Sequence, residues 1–484
     1  MIVYQVYPRS FADSDGDGVG DLGGIIAHLD HLTWLGVDAL WLSPIYPSPF
    51  ADGGYDVSDH AGVDPRLGTL EDVEALARGC HERGLKLLLD VVPCHTSIEH
   101  PWFHEHPERY VWSPTDGPPN NWRSNFGGAA WSEDPDGRGW YQHAFYPKQP
   151  DLDWREPAVP QAFAEMLAGW RARGVDGFRL DALQSLAKDP ALGDDGPSDP
   201  EHPPAPGADP TTAYWQLDHS HSADWEDTPR ALAALRAGAG QDAYLVGEVH
   251  LPAARVQRYL EHLDAAFVFE LLLGEWRAED VVEAIAAGLT LRRPAWVLSN
   301  HDFPRLPTRL GPGRARGAQL LLACLPGDLF LFQGDERGLA DGPGMWPGRE
   351  PVDRHGRDPH RHPMPWTTTG PAHGFAPGAI EPWLPVVLPE EGAVDAQRDD
   401  ATSTLARTRD LLALRRALGD APVEDPHREG RCVVLRRGEH VVCVNCSDEV
   451  VPLPVAVLGA EVVLATDAPL DGMLPAGAGL VVRP

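Results

Sequence analysis

The feature that most constrains this chain is a series of eight short apolar runs separated by amphipathic stretches or long loops. They are Ile2–Tyr7, Val37–Leu42, Leu85–Val92, Val175–Leu180, Ala243–Val249, Ala265–Leu271, Ala295–Ser299 and Leu329–Phe332. Runs this short and this continuously apolar suit strands buried on both faces. Helical periodicity lies between several of them, at Ile25–Leu35, Leu70–Glu82, Val159–Arg173 and Val281–Ala287. Strands alternating with helices argue for a parallel sheet, and eight is the number that closes a barrel. The expected fold class is therefore α/β, a (β/α)8 TIM barrel.

The alternation fails in two places, and the failures set the expected domains. Residues 94–157 are rich in Pro, Gly, Trp and Asn, show no clear helix and are too long for a connection, so they read as a subdomain inserted after the third strand. After a charged helix at Thr404–Leu418 the pattern turns to Cys432–Leu435, His440–Val444, Val450–Val457 and Glu461–Leu464, antiparallel strands of a small β-domain at 421–484. Residues 1–93 and 158–420 make the barrel. The stretch from Leu186 to Asp227, rich in Pro, Asp and His, reads as a lid over its mouth. The chain carries 49 Gly and 48 Pro, too many for a helix bundle, which fits long shaped loops on a rigid scaffold.

Charge narrows the partners. Asp and Glu number 72 against 40 Lys and Arg, a net charge of −32 that repels phosphate backbones and anionic lipid. Nucleic acid and membrane surfaces are thereby excluded as partners, while nothing indicates an oligomeric state. The longest apolar stretch, Ala318–Phe332, is broken by Pro326, Gly327 and Asp328, so no bilayer span is expected. The strand pattern begins at Ile2 with no basic start or cleavage site before it, and a soluble, cytoplasmic protein is expected. Six scattered cysteines, including the formal CxxC of Cys443 and Cys446 inside a strand, read as buried thiols rather than as metal or redox ligands.

In such a barrel the functional residues lie at the C-terminal ends of the strands. Five of the expected strands run into acids there: Asp90 before His95, Asp181 after Arg179, Glu248, the Asn300-His301-Asp302 segment, and Asp335-Glu336. One such acid is an ordinary helix cap, but five on one rim form a constellation. Arg179 and Asp181 share a strand face, and an adjacent guanidinium favours an ionised carboxylate, as a nucleophile requires. A second carboxyl in a drier setting then serves as general acid, the pair needed for glycoside hydrolysis. A buried ion pair that merely holds the barrel together would give the same spacing.

Two further clusters stand out. Asp13, Asp15, Asp17, the carbonyl of Val19 and Asp21 have the spacing of a Ca²⁺ loop, with glycine at the sharp turn. Position 12 is Gly24 rather than a bidentate Glu and a strand precedes the loop, so the expectation is an isolated structural site for Ca²⁺ or Mg²⁺ and not an EF-hand. Aromatic residues crowd the insertion, from Trp102 to Trp154; most are expected to build its core and a few to face a sugar.

The ordered set of segments resembles glycoside hydrolase family 13, the α-amylase superfamily, and within it the oligo-1,6-glucosidase and α-glucosidase group. The resemblance rests on Ile2–Phe11, the acidic loop after it, Asp52-Gly53-Gly54-Tyr55-Asp56, Asp90–Ser97, Gln149–Trp154, Gly177–Ala182, Gly247-Glu248-Val249, Ser299–Asp302, Gln333–Glu336 and Arg361–Met364. It implies a retaining double displacement on small α-glucosides, with Asp181 as nucleophile, Glu248 as general acid/base and Asp302 as the third acid. It further implies that His95, Arg179 and His301 line the first sugar subsite, with Tyr55, Phe145 and Gln149 around the same glucose. Asp52 and Arg361 would grip the terminal glucose and close the site into a pocket, which means exo-action. Ala182 after the nucleophile accompanies α-1,4 specificity in this group, where valine accompanies α-1,6. Isomerases and transferases acting on sucrose or trehalose share the same site, and inactive relatives that lose the triad do not match. Three residues depart from the group's pattern: Cys94 for Asn, His362 for Thr and Asp153 for Asn. Cys94 is expected to loosen its loop.

Overall fold

The computed structural model describes residues 1–198, 213–344, 356–389, 391–469 and 471–484. All eight apolar runs form strands, which we number β1 (Ile2–Val6), β2 (Ala39–Leu42), β3 (Lys86–Val91), β4 (Gly177–Leu180), β5 (Tyr244–Gly247), β6 (Ala265–Val268), β7 (Pro294–Trp296) and β8 (Asp328–Phe332). They pair in parallel in sequence order, and β1 closes the barrel by pairing with both β2 and β8. Their side chains alternate as the pleat requires. Val3, Trp41, Leu88, Val246, Phe267 and Phe330 pack into one buried cluster, while Tyr4, Leu40, Leu87, Leu89, Phe178 and Leu245 join the larger core shared with the helices. The first cluster fills the barrel, so the polar residues have only its rim to occupy.

Several strands stop earlier than their apolar runs. The sixth ends at Val268, and Glu270–Leu273 is helical; the seventh ends at Trp296. Beyond those points the apolar residues stay buried without pairing: Phe269 and Val297 join the cluster inside the barrel, and Leu271 and Leu298 the larger core. Helices fall at Leu22–Ala27 and Leu29–Leu35, at Leu70–Glu82, at Ala158–Ala172 and at Ala278–Gly288. Leu70–Glu82 begins with a reciprocal capping box between Thr69 and Asp72.

The stretch of residues 94–157 holds a short helix, Pro101–Glu105, a 3-10 turn at Pro107–Arg109, and an antiparallel hairpin of Trp131–Glu133 with Trp140–Gln142. Most of its rings do build a core: Phe103 contacts Tyr110, Trp112 and Tyr141, and Trp122 stacks on Trp131 at 5.8 Å. Of the expected lid, residues 199–212 lie outside the described residues. Its first part lies on the insertion, with Trp122 Nε1 donating to the Gly193 carbonyl at 2.8 Å and Asn121 Nδ2 to that of Asp195 at 2.8 Å.

The C-terminal sheet is antiparallel, in the order Val423–Glu429, Cys432–Arg437, His440–Asn445, Gly479–Arg483, Glu461–Ala465. The expected strand Val450–Val457 does not form as one piece. Only Val451–Pro452 pairs, and Val455–Val457 is a single 3-10 turn, because Pro452 and Pro454 remove the donors a ladder needs. All six cysteines are unpaired and buried. Among the described residues no helix is long and apolar enough to cross a membrane.

Candidate active site

Arg179, on β4, is the hub of the rim. Its side chain is 2% exposed, and its Nη1 donates to Asp90 at 2.8 Å and to Asp181 at 2.5 Å. Its Nη2 contacts Glu248. One guanidinium thus spans acids from the ends of β3, β4 and β5. Tyr55 Oη donates to Asp90 at 2.9 Å and the Trp41 indole to the same oxygen at 3.3 Å, which anchors the floor of the site. Ala182, next after Asp181, takes a left-handed backbone with φ 44°, an uncommon conformation for a residue with a Cβ. That turn redirects the chain away from the barrel immediately after the acid.

On the opposite side of the mouth lies Asp302. It accepts from Arg361 Nη2 at 2.9 Å and Arg357 Nη1 at 3.0 Å, and His301 Nε2 lies 3.1 Å from its other oxygen. His301 is fixed by Gln5 at 2.8 Å and lies parallel to the Tyr55 ring at 5.2 Å. Asp52 is held by its loop, whose amides at Ala51 and Asp52 and the Ser48 hydroxyl all donate to Asp56. Gln149 Nε2 donates to Asp52 at 2.9 Å and lies 3.0 Å from His95 Nε2. The Phe145 ring meets His95 at 5.4 Å and Phe126 at 5.6 Å, so these two phenylalanines are the insertion's aromatic contribution to the rim. Asp181, Glu248, Asp302, Asp52, Tyr55, His95, Phe145, Gln149, Arg179, His301 and Arg361 therefore all come together in one set of contacts at the rim.

Asp52 is contacted by a guanidinium that the sequence reading did not single out, that of Arg357. Arg361 lies one turn further along, donating to the His301 carbonyl and to Asp302. It crosses above Gly53, where a Cβ would come within 2.5 Å of its Nη1 and where φ is 61°, so only glycine fits. The sequence holds a clue in the second arginine four residues before the motif, but nothing to say which one reaches Asp52. A double-mutant cycle separates them. Asp52 and Arg357 should couple by roughly 1.5 kcal/mol or more in kcat/KM, and Asp52 and Arg361 by distinctly less. The reverse ranking would contradict the pairing.

Electrostatics sort the acids. Burial raises both Asp90 and Asp181 above the usual carboxylate range, against the pull of the Arg179 charge. The adjacent guanidinium alone would lower Asp181; desolvation outweighs it. Of the two, Asp90 is the deeper, with 0% side-chain exposure against 11% for Asp181. Asp302 is also buried, yet His301 and the guanidinium groups of Arg357 and Arg361 hold it well below the carboxylate range. Asp52 likewise stays low, because Arg357 and the Gln149 amide overcome its burial. Burial pushes His301 down to about 3, against the pull of the Asp302 charge.

The departures from the sequence pattern are accommodated. Cys94 is fully buried with its sulfur 3.2 Å from His95 Nδ1, and its carbonyl accepts from the Leu152 amide at 2.9 Å, so the loop is anchored rather than loosened. His362 reaches the Pro385 carbonyl at 2.5 Å, and Asp153 accepts from the Arg155 amide at 3.0 Å.

In the acidic loop, Asp13, Asp15 and Asp21 offer oxygens within 4.8 Å of one another. Asp17 is not in that group; its carboxylate accepts from the Val19 amide at 2.7 Å. Asp13 is raised by burial and by the repulsion of Asp17 and Asp21, despite amide donors from Gly16 and Gly18. Hard carboxylate oxygens gathered at this spacing are the donor type a divalent cation takes.

Comparison with known proteins agrees with this geometry. The family model for the α-amylase catalytic domain matches residues 5–421. A probable α-glucosidase of Rhizobium meliloti (strain 1021) is 36% identical over 93% of this chain and 89% of its own length. An oligo-1,6-glucosidase of Parageobacillus thermoglucosidasius is 33% identical over 86% of this chain and 83% of its own. The crystal structure of the α-glucosyl transfer enzyme XgtA superposes with a TM-score of 0.88 at 35% identity, covering 99% of this chain and 98% of that one. With the match spanning barrel, insertion and rim alike, the chain belongs to the α-amylase family, glycoside hydrolase family 13, and is a glycoside hydrolase.

Proposed function

We propose that the protein is a retaining, exo-acting α-glucosidase that removes terminal α-1,4-linked glucose from short oligosaccharides. The observation that carries this reading is the bridge of Arg179 between Asp181 and Glu248, with Asp302 facing them across the mouth. A single guanidinium between the two carboxylates suits the separation of ~5–5.5 Å used in retention, rather than the wider gap of inversion. In the first half-reaction an Asp181 oxygen attacks the anomeric carbon while the bond to the leaving oxygen breaks, and Glu248 gives that oxygen its proton. In the second, the Glu248 carboxylate takes a proton from water, the water oxygen bonds to the anomeric carbon, and Asp181 departs as a carboxylate. Asp302, kept ionised by its cations, opposes the positive charge that develops on the sugar ring in both steps. Asp52 with Arg357 closes the end of the site, which supports a single glucose beyond the scissile bond.

Ala182 supports α-1,4 over α-1,6 linkage, and XgtA supports transfer to a sugar acceptor as the second reading. Product analysis with maltose, isomaltose, sucrose and trehalose decides among them. Maltose should be cleaved fastest with glucose as the main product. Faster isomaltose cleavage would reverse the linkage, and accumulation of longer glucosides would favour transfer.

For the acidic loop we propose a structural Ca²⁺ or Mg²⁺ held by Asp13, Asp15, Asp21 and the carbonyl of Val19, with Asp17 shaping the turn; when bound, the ion supplies only electrostatic cross-linking. Its removal by a chelator should lower the melting temperature, with restoration on re-addition. An unchanged melting temperature would rule the site out. Buried unpaired thiols suit a reducing compartment, and on that basis we assign the enzyme to the cytoplasm.

A further inference from the structure

His250 lies two residues after Glu248, where β5 leaves the barrel, and no part of the reaction above uses it. Its Nε2 is 2.7 Å from Glu248 Oε1, and its ring lies flat on Phe269, 7° from parallel with centroids 4.4 Å apart. The backbone amide of His250 donates to Gln184 Oε1 at 3.3 Å, so backbone and ring are both held. Phe269 comes from the end of β6, which makes the contact a clamp between neighbouring strands rather than a loop accident.

From this geometry we infer that His250 is a positioning residue for the acid/base: clamped by Phe269, its neutral ring donates Nε2–H to Glu248 Oε1 and favours the ionised carboxylate. The inference rests on the proposed α-glucosidase reading and deepens it. A carboxylate oxygen only accepts, so the proton of this contact lies on the imidazole nitrogen. Burial, aided by the nearby Arg179 charge, keeps the ring uncharged, pushed down to about 4. The charged groups that face the pair are Arg179, which touches the other Glu248 oxygen, together with Asp181 and Asp302. The donor on one oxygen and the Arg179 charge against the other favour the charged form, which is the base of the second half-reaction, over the acid of the first. His250 thereby biases Glu248 toward cleaving the glucosyl intermediate.

The test compares the full-length enzyme with His250→Ala, His250→Gln and Phe269→Leu across pH, with kcat and KM separated for an aryl α-glucoside and for maltose. Loss of the donor makes Glu248 a weaker acid, so the alkaline limb of kcat/KM should move up by about one pH unit in His250→Ala. In the same variant kcat for the aryl glucoside, whose good leaving group makes the second half-reaction limiting, should fall about tenfold. His250→Gln restores an N–H donor and should recover most of both effects, while Phe269→Leu should give a partial shift. Melting temperatures measured alongside separate a folding defect, which would lower kcat without moving the limb. An unmoved limb in a folded, active His250→Ala enzyme, or an equal defect in His250→Gln, would overturn the inference while leaving the α-glucosidase reading intact. A wild-type enzyme that cleaves neither substrate would instead overturn that reading.

Discussion

Replacing Asp181 by Asn should cut kcat for maltose and for an aryl α-glucoside by roughly 10⁴-fold or more, with the fold and substrate affinity retained. The amide keeps the volume and can still face Arg179 Nη1, now with 2.5 Å geometry relaxed to a neutral contact, so packing at the end of β4 survives. What it loses is the nucleophile, and with it the covalent route. The check is steady-state kinetics beside a thermal melt. Residual activity within a hundredfold of wild type would assign the nucleophile elsewhere. Because Asp90 is the nearest other acid on the same guanidinium, an Asp90→Asn enzyme should keep far more activity than Asp181→Asn.

Arg179→Met should have the largest effect on stability. The substitution keeps much of the side-chain volume but leaves Asp90, Asp181 and Glu248, all buried, without their common cation. Removing one partner of a buried ion pair costs about 3–5 kcal/mol. The pH dependence has a definite sign. Asp90 and Asp181 are already raised by burial, and without Arg179 they rise further above the unfolded value of about 3.9. Stability from a group raised in this way is present at low pH and is lost as pH rises through the folded value. The deficit of the variant relative to wild type, measured by denaturant unfolding, should therefore be smallest near pH 4 and grow toward pH 8. A deficit that is flat with pH would mean that the guanidinium contributes packing rather than charge. Arg179→Lys keeps the charge but not the fork, and should restore part of the stability and little activity.

Both expectations concern residues that the amino-acid sequence itself makes legible. The barrel is readable because its strands are apolar without interruption, and the rim acids because they sit directly at the ends of those runs. Asp181, Glu248 and Asp302 need only that rule and the family resemblance. What cannot be read is anything that depends on which chain segments meet. Arg357 and Arg361 lie one turn apart on the same rim segment, and only the folded loop shows that the first reaches Asp52. The raised Asp181 is hidden for a related reason: the adjacent arginine is visible in the sequence, the desolvation that outweighs it is not. In the C-terminal sheet, Val423–Glu429 gives no strand signal because it is polar, contains Pro426 and runs along the edge, while Val450–Val457 looks like a strand until its prolines are counted. His250 carries no signal of its own, since a histidine two residues from an acid on a strand end is ordinary until a ring is found lying on it.

The account stands most directly on a covalent glucosyl link to Asp181. Incubating the enzyme with a 5-fluoro-α-glucosyl fluoride, which slows the breakdown of the intermediate, and mapping the labelled peptide by mass spectrometry measures that link. The expected result is one glucosyl adduct per chain, on Asp181, that disappears when the trapped enzyme is left to turn over. An adduct on another residue, or release of fluoride at full rate with inverted product and no adduct at any time, would contradict it.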